Sequence, residues 1–290
     1  MTLGAADRPA SWRAFWNRGA WWKAVAMAVV YLGAYLGASW LIGRLFESQF
    51  TPGGLLGSAT NVLLGLALPL VVGAVLLIAL VSSLGWWAEL FGPQPVRGSG
   101  WMWIAPAIPL AAIVLRLIGI DYASYASGVV IVTLAAGLLV GFVEELLTRG
   151  LAVKMLRDSG MREWGVAVTS SAIFALLHSG NLLSGMTPFT VALTLVYTFA
   201  FGILMYLTLR VTGRLVWPII VHGLTDPTLI LATGGIDVTG GTPNLLLALA
   251  APVNIVTIGF AAIALIFIRG RVAATGPSSS GGVDTQIVTD

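Results

Sequence analysis

Apolar residues run along this chain in long unbroken blocks, with polar and charged residues gathered between them. Neither the two-residue alternation of a half-buried strand nor the narrow stripe of a soluble amphipathic helix governs the pattern. Eight blocks of about 19 to 25 residues can each cross the roughly 30 Å hydrocarbon core of a bilayer at 1.5 Å per residue. They lie near 24–46, 60–84, 101–120, 126–149, 164–184, 189–209, 215–233 and 244–268. The pattern predicts an all-α polytopic membrane protein of about eight transmembrane helices.

Basic residues orient the spans. Arg8, Arg13, Arg18 and Lys23 precede the first; Arg97 follows the second; Arg149, Lys154, Arg157 and Arg162 follow the fourth; Arg210 and Arg214 follow the sixth; Arg269 and Arg271 follow the last. With eight crossings all of these fall on one face, leaving Arg44 and Arg116 toward the other. The positive-inside rule then places both termini in the cytoplasm and the protein in a cell membrane. Trp21, Trp22, Trp40, Trp86, Trp87, Trp101, Trp103, Trp164 and Trp217 lie near span ends, where an amphipathic indole is at home.

Composition agrees: 58% of the 290 residues are hydrophobic and 9% charged, far from a soluble domain. The net charge of +3 is spread along one membrane face, so contact with anionic lipid explains it and nucleic acid is not implied as a partner. The chain has no cysteine, which excludes disulfides, thiolate zinc sites and cysteine nucleophiles.

The expected organisation is a cytoplasmic basic and aromatic segment at 1–23, two N-terminal helices and a loop over 24–100, a six-helix core over 101–268 and a disordered cytoplasmic tail over 269–290. The first apolar block is too long for a signal-peptide core and reads as a retained signal anchor. "GLAVKMLRDSGMRE", 150–163, mixes apolar and charged residues as an interfacial helix would.

Ionisable residues inside the spans carry the candidate chemistry, because each charge at a helix centre costs about 2.5–3.5 kcal/mol on insertion scales. Glu145 and Arg149 form an i, i+4 pair in the favourable order and can neutralise one another. Glu144 points about 100° away on its helix and has no local partner. Both histidines of the chain, His178 and His222, fall within spans, and Asp226 shares a helix face with His222. Pro227 predicts a kink that frees the carbonyl of residue 223. A glutamate beside histidines suits a general base acting on water, and the same set, Glu144, His178, His222 and Asp226, suits a zinc ion. Neither HExxH nor GxSxG occurs.

"EELLTR" (Glu144, Glu145, Arg149), "FALLH" (Phe174, His178) and "HGLTD" (His222, Asp226), in that order on three spans, resemble the CPBP family of intramembrane proteases. That family comprises the type II CAAX prenyl endopeptidases and the related bacteriocin-processing and immunity proteins. The resemblance implies that Glu144 and His178 activate the attacking water and that His222 and the residue at Asp226 stabilise the oxyanion. It casts Glu145, Arg149 and Phe174 as supporting residues. Asp226 departs from the asparagine of eukaryotic-type members; an ionised aspartate cannot donate to an oxyanion, whereas asparagine can.

With uniform straight spans, Glu144 falls about 9 Å to the cytoplasmic side of mid-membrane and His178 about 6 Å to the other, so the two meet only if the spans are tilted or offset. The expected function is a membrane-embedded, glutamate-dependent or metallo-endopeptidase acting on a membrane protein or peptide. A non-catalytic immunity or scaffold protein of the same fold, and a proton-coupled transporter, are the competing readings.

Overall fold

The structure, a computed structural model, describes residues 8–235 and 244–272. The first seven residues and the expected tail beyond 272 lie outside the described residues. A short helix, α1 (Arg8–Asn17), precedes eight helices long and apolar enough to cross a membrane. These are α2 (Trp21–Leu45), α3 (Ala59–Leu84), α4 (Gly100–Gly119), α5 (Val129–Asp158), α6 (Glu163–Leu183), α7 (Pro188–Thr212), α8 (Val216–Thr233) and α9 (Leu245–Phe267). There is no β-strand among the described residues beyond one isolated bridge between Arg162 and Arg271. The protein is a multi-pass, all-α membrane protein, as the block pattern predicts.

Every span has a flank of large apolar side chains that no other helix covers; Ile131, Leu183, Phe189 and Ile255 are examples. In hydrocarbon such a surface carries no penalty, so burial alone does not decide which face turns inward. Close packing decides it. The broadest contact joins α5 to α8, followed by α6 with α7, and α8 also packs on α4. Helices α2 and α3 pack together, with α3 on the first half of α5 and α2 on its second half, while α9 lies against α4 and α7.

One sequence expectation is corrected. The segment 150–163 does not form a separate interfacial helix. Residues through Asp158 continue α5 as one 30-residue helix, with π-helical turns over Leu146–Ala152. Leu151, Ala152, Val153, Met155 and Leu156 are buried inside the protein, and Gly160, at φ 76°, turns the chain into α6. The charges that suggested an interface have protein partners. Lys154 meets Glu89 at 2.5 Å and Asp158 at 3.0 Å, and Arg157 binds both oxygens of Glu163 at 2.9 and 2.8 Å. Pro227 lies inside α8, with helix on either side of it and its ring packed on Gly137 of α5.

The N-terminal segment is more than a basic flank. α1 folds onto the end of α3, where Trp12 Nε1 donates to Ser83 Oγ at 3.2 Å and Arg13 Nε to Ser83 O at 3.1 Å.

Candidate active site

The α5–α8 contact exists because glycines let two backbones touch. A Cβ on Gly141 would stand 2.4 Å from Ile219 O and 2.5 Å from Gly223 N, and one on Gly137 would stand 2.3 Å from Pro227 Cγ. From the other side, a Cβ on Gly223 would lie 2.9 Å from Leu138 Cα. Small residues spaced four apart permit this approach. Glu144 and Glu145 follow Gly141 by three and four residues, and His222 directly precedes Gly223. The glycine contact therefore delivers both glutamates to the histidine.

His222 is buried, with both ring nitrogens engaged. Nδ1 stands 2.8 Å from Glu145 Oε1. A carboxylate only accepts there, so Nδ1 carries the hydrogen and the ring is fixed with Nε2 facing the other two carboxylates. Nε2 lies 3.4 Å from Asp226 Oδ2 and 3.7 Å from Glu144 Oε2. The sequence assigned Glu145 to Arg149 alone; the structure has it pinning His222 as well.

Arg149 is enclosed. Nη1 donates to Glu145 Oε1 at 3.1 Å and to Thr148 Oγ1 at 2.5 Å, Nη2 donates to the Gly202 carbonyl of α7 at 2.8 Å, and the guanidinium covers the Phe174 ring at 4.6 Å. Gly202 has no room for a side chain, since a Cβ would meet Ser171 Cβ at 2.8 Å and Arg149 Nη2 at 3.0 Å. Phe174 lies between the imidazoles, edge-on to His178 at 5.0 Å and to His222 at 5.4 Å. Phe201 packs on His222 from α7 at 5.1 Å.

His178 ends the α-helical part of α6, where the chain tightens into 3₁₀ turns. Its Nδ1 donates to the Phe174 carbonyl at 3.1 Å, which leaves Nε2 as the acceptor nitrogen. The offset expected between Glu144 and His178 is resolved by the length of α5: Glu144 stands midway along a 30-residue helix rather than near its cytoplasmic end. His178 lies within electrostatic range of Glu144, though no direct ion pair joins them. Glu144 Oε2 has no hydrogen-bond partner, and its side chain is 19% exposed against 0% for Glu145.

Further residues border the cluster that the motifs do not single out. Tyr31 and Tyr35 of α2 are close enough to feel the charge of Glu144, and Arg116 and Tyr197 that of Asp226. The tyrosines carried a weak signal, a polar i, i+4 pair in an apolar span. Phe201 carried none. The "GLLVG" spacing at 137–141 was readable as a helix-packing motif.

The side chains do not fit a bound zinc ion. Among the described residues no three or more His, Asp or Glu side chains are grouped to hold a metal.

The fold and the cluster define a class: a helical membrane protein holding carboxylates and imidazoles at one buried centre. Residues 126–228, about a third of the chain, match the family model described as Type II CAAX prenyl endopeptidase Rce1-like. The segment that carries all three motifs is thus the one that resembles this family, consistent with a CPBP-family protease. No curated protein matches the chain.

Proposed function

We propose that the protein is an intramembrane endopeptidase that hydrolyses a peptide bond of a membrane-associated protein or peptide. The observation that carries this reading is Glu144, whose Oε2 is unpartnered yet stands 3.7 Å from the fixed Nε2 of His222. A buried carboxylate left unpaired at a hydrocarbon depth is expensive, and acid–base work on a water gives it a use. Glu144, with His178 as acceptor beside it, takes a proton from water while the water oxygen attacks the carbonyl carbon of the substrate. The resulting oxyanion accepts from Nε2–H of His222 in its imidazolium form, whose Nδ1–H is held by Glu145 and whose Nε2 faces Asp226 and Glu144. Collapse breaks the C–N bond, and the proton on Glu144 passes to the departing amine. Glu144, His178 and Asp226 are the partly exposed members of the set, so substrate enters from their side.

The basic face turns toward the cytoplasm in this reading, with both termini there. The Rce1-like match supports peptidase chemistry over the scaffold and transporter readings. The test is comparative membrane proteomics of cells carrying wild type or Glu144→Ala. A protein terminus generated by the wild type alone is expected. Identical termini in both, with the variant folded and present in the membrane, would refute the mechanism.

A further inference from the structure

A second charged assembly lies away from the histidines, where the basic-face ends of α5, α6 and α7 meet. Glu163 is its only acid. It takes Arg157 through both oxygens, Arg210 Nη1 at 3.2 Å, and the Tyr206 hydroxyl. Arg157 also donates to Gln94 Oε1 at 2.6 Å, and Arg210 Nη2 to the Arg97 carbonyl at 2.8 Å. Two guanidinium groups on one carboxylate leave a positive charge in excess, and Arg210 Nε has no partner although the residue is 4% exposed.

A cavity of about 310 Å³ opens beside this assembly, between the loop that follows α3 and the end of α7. Arg97, Arg210 and Arg214 line it, with Gln94, Thr212 and Gly213, and among the described residues no acidic one does. Arg97 and Arg214 are exposed, and Arg214 donates one bond to Phe91 O at 3.3 Å. The end of α7 opposes an anion with about half a negative charge. One of its terminal carbonyls, Gly213 O, is already taken by Gln94 N at 3.0 Å, and three guanidinium groups outweigh the remainder. The exposed Trp217, three residues beyond Arg214, sets the depth of this cavity at the interfacial layer.

We propose that this cavity binds a phosphate-bearing anion, held by Arg97 and Arg214 at its rim and by Arg210 at its back. Arg97 and Arg214, which have no carboxylate partner among the described residues, suit phosphate oxygens, which accept two parallel bonds from a guanidinium fork. At the interfacial depth the ligand is within reach as an anionic phospholipid headgroup; a free phosphate has the same chemistry. The site stands apart from the glutamates and histidines, so it does not depend on the peptidase reading.

The test titrates full-length detergent-solubilised protein with short-chain phosphatidylglycerol, phosphatidylcholine and inorganic phosphate, following thermal unfolding. Wild type is expected to be stabilised by phosphatidylglycerol and not by phosphatidylcholine. Arg97→Gln with Arg214→Gln, both on exposed side chains, should weaken the apparent affinity about tenfold or more. Arg18→Gln, which removes an exposed charge from the same face outside the cavity lining, should leave it unchanged. A response to inorganic phosphate as well assigns the site to the bare anion, and its absence assigns it to the lipid. Equal stabilisation by phosphatidylcholine, an unchanged affinity in the cavity variant, an equal loss in both variants, or no response to either anion would each overturn the proposal.

Discussion

Gly141→Ala adds one methyl group where two backbones touch. Its Cβ would stand 2.4 Å from Ile219 O and 2.5 Å from Gly223 N, and neither atom belongs to a side chain that can rotate away. Ordinary contact begins near 3.4 Å, so α8 must retreat by about 1 Å; overpacking of this kind costs about 1–3 kcal/mol. The retreat carries His222 with it, stretching the 2.8 Å bond to Glu145 Oε1 beyond hydrogen-bond range. A displacement of about 1 Å at a catalytic group lowers rate by about a hundredfold, so activity should fall further than stability. Gly33→Ala supplies the control, since nothing lies within 4 Å of its added Cβ. Unfolding in detergent and cleavage of a substrate found by the proteomic comparison are the two readouts. If Gly141→Ala matches Gly33→Ala in both, the glycine contact does not position the site and the reasoning fails.

Other substitutions probe the cluster from different sides. Glu145→Ala strips the enclosed Arg149 of its carboxylate and His222 of its Nδ1 acceptor, and should destabilise by about 3–5 kcal/mol in chemical unfolding; a loss below about 1 kcal/mol would show that the pair is not sealed from water. Asp226→Asn restores a donor beside the oxyanion and should retain cleavage, whereas Asp226→Ala should lose it; equal activity in both would remove residue 226 from the reaction. Phe174→Ala opens a cavity beneath Arg149 and both histidines, and should cost about 3–5 kcal/mol together with activity. Retained cleavage by that variant would reduce Phe174 to general packing.

Much of the architecture is decided along the chain itself. Spanning a hydrocarbon layer requires a helix that satisfies its own backbone, and blocks of this length leave no other arrangement, so the number and approximate ends of the spans follow from hydropathy. Glu144, His178 and His222 were legible for a related reason: a polar group in an apolar block carries a penalty that makes it conspicuous. The same rule misled at 150–163, where charges look like an interface when read in order. Arg157 is in fact neutralised by Glu163, from the next helix, and a sequence does not display partners across a turn.

Tertiary structure alone decided which groups meet. Glu145 looks self-sufficient beside Arg149, and only the α5–α8 contact shows its second bond, to a histidine 77 residues away. The convergence of Glu144 with His222 rests on the uninterrupted length of α5 and on glycine-sized gaps between helices. The sequence determines that these charges lie within a membrane, because solvation is a property of each residue and its near neighbours. Their assembly into one centre is determined by close packing between distant segments, which lipid does not drive and no local pattern encodes.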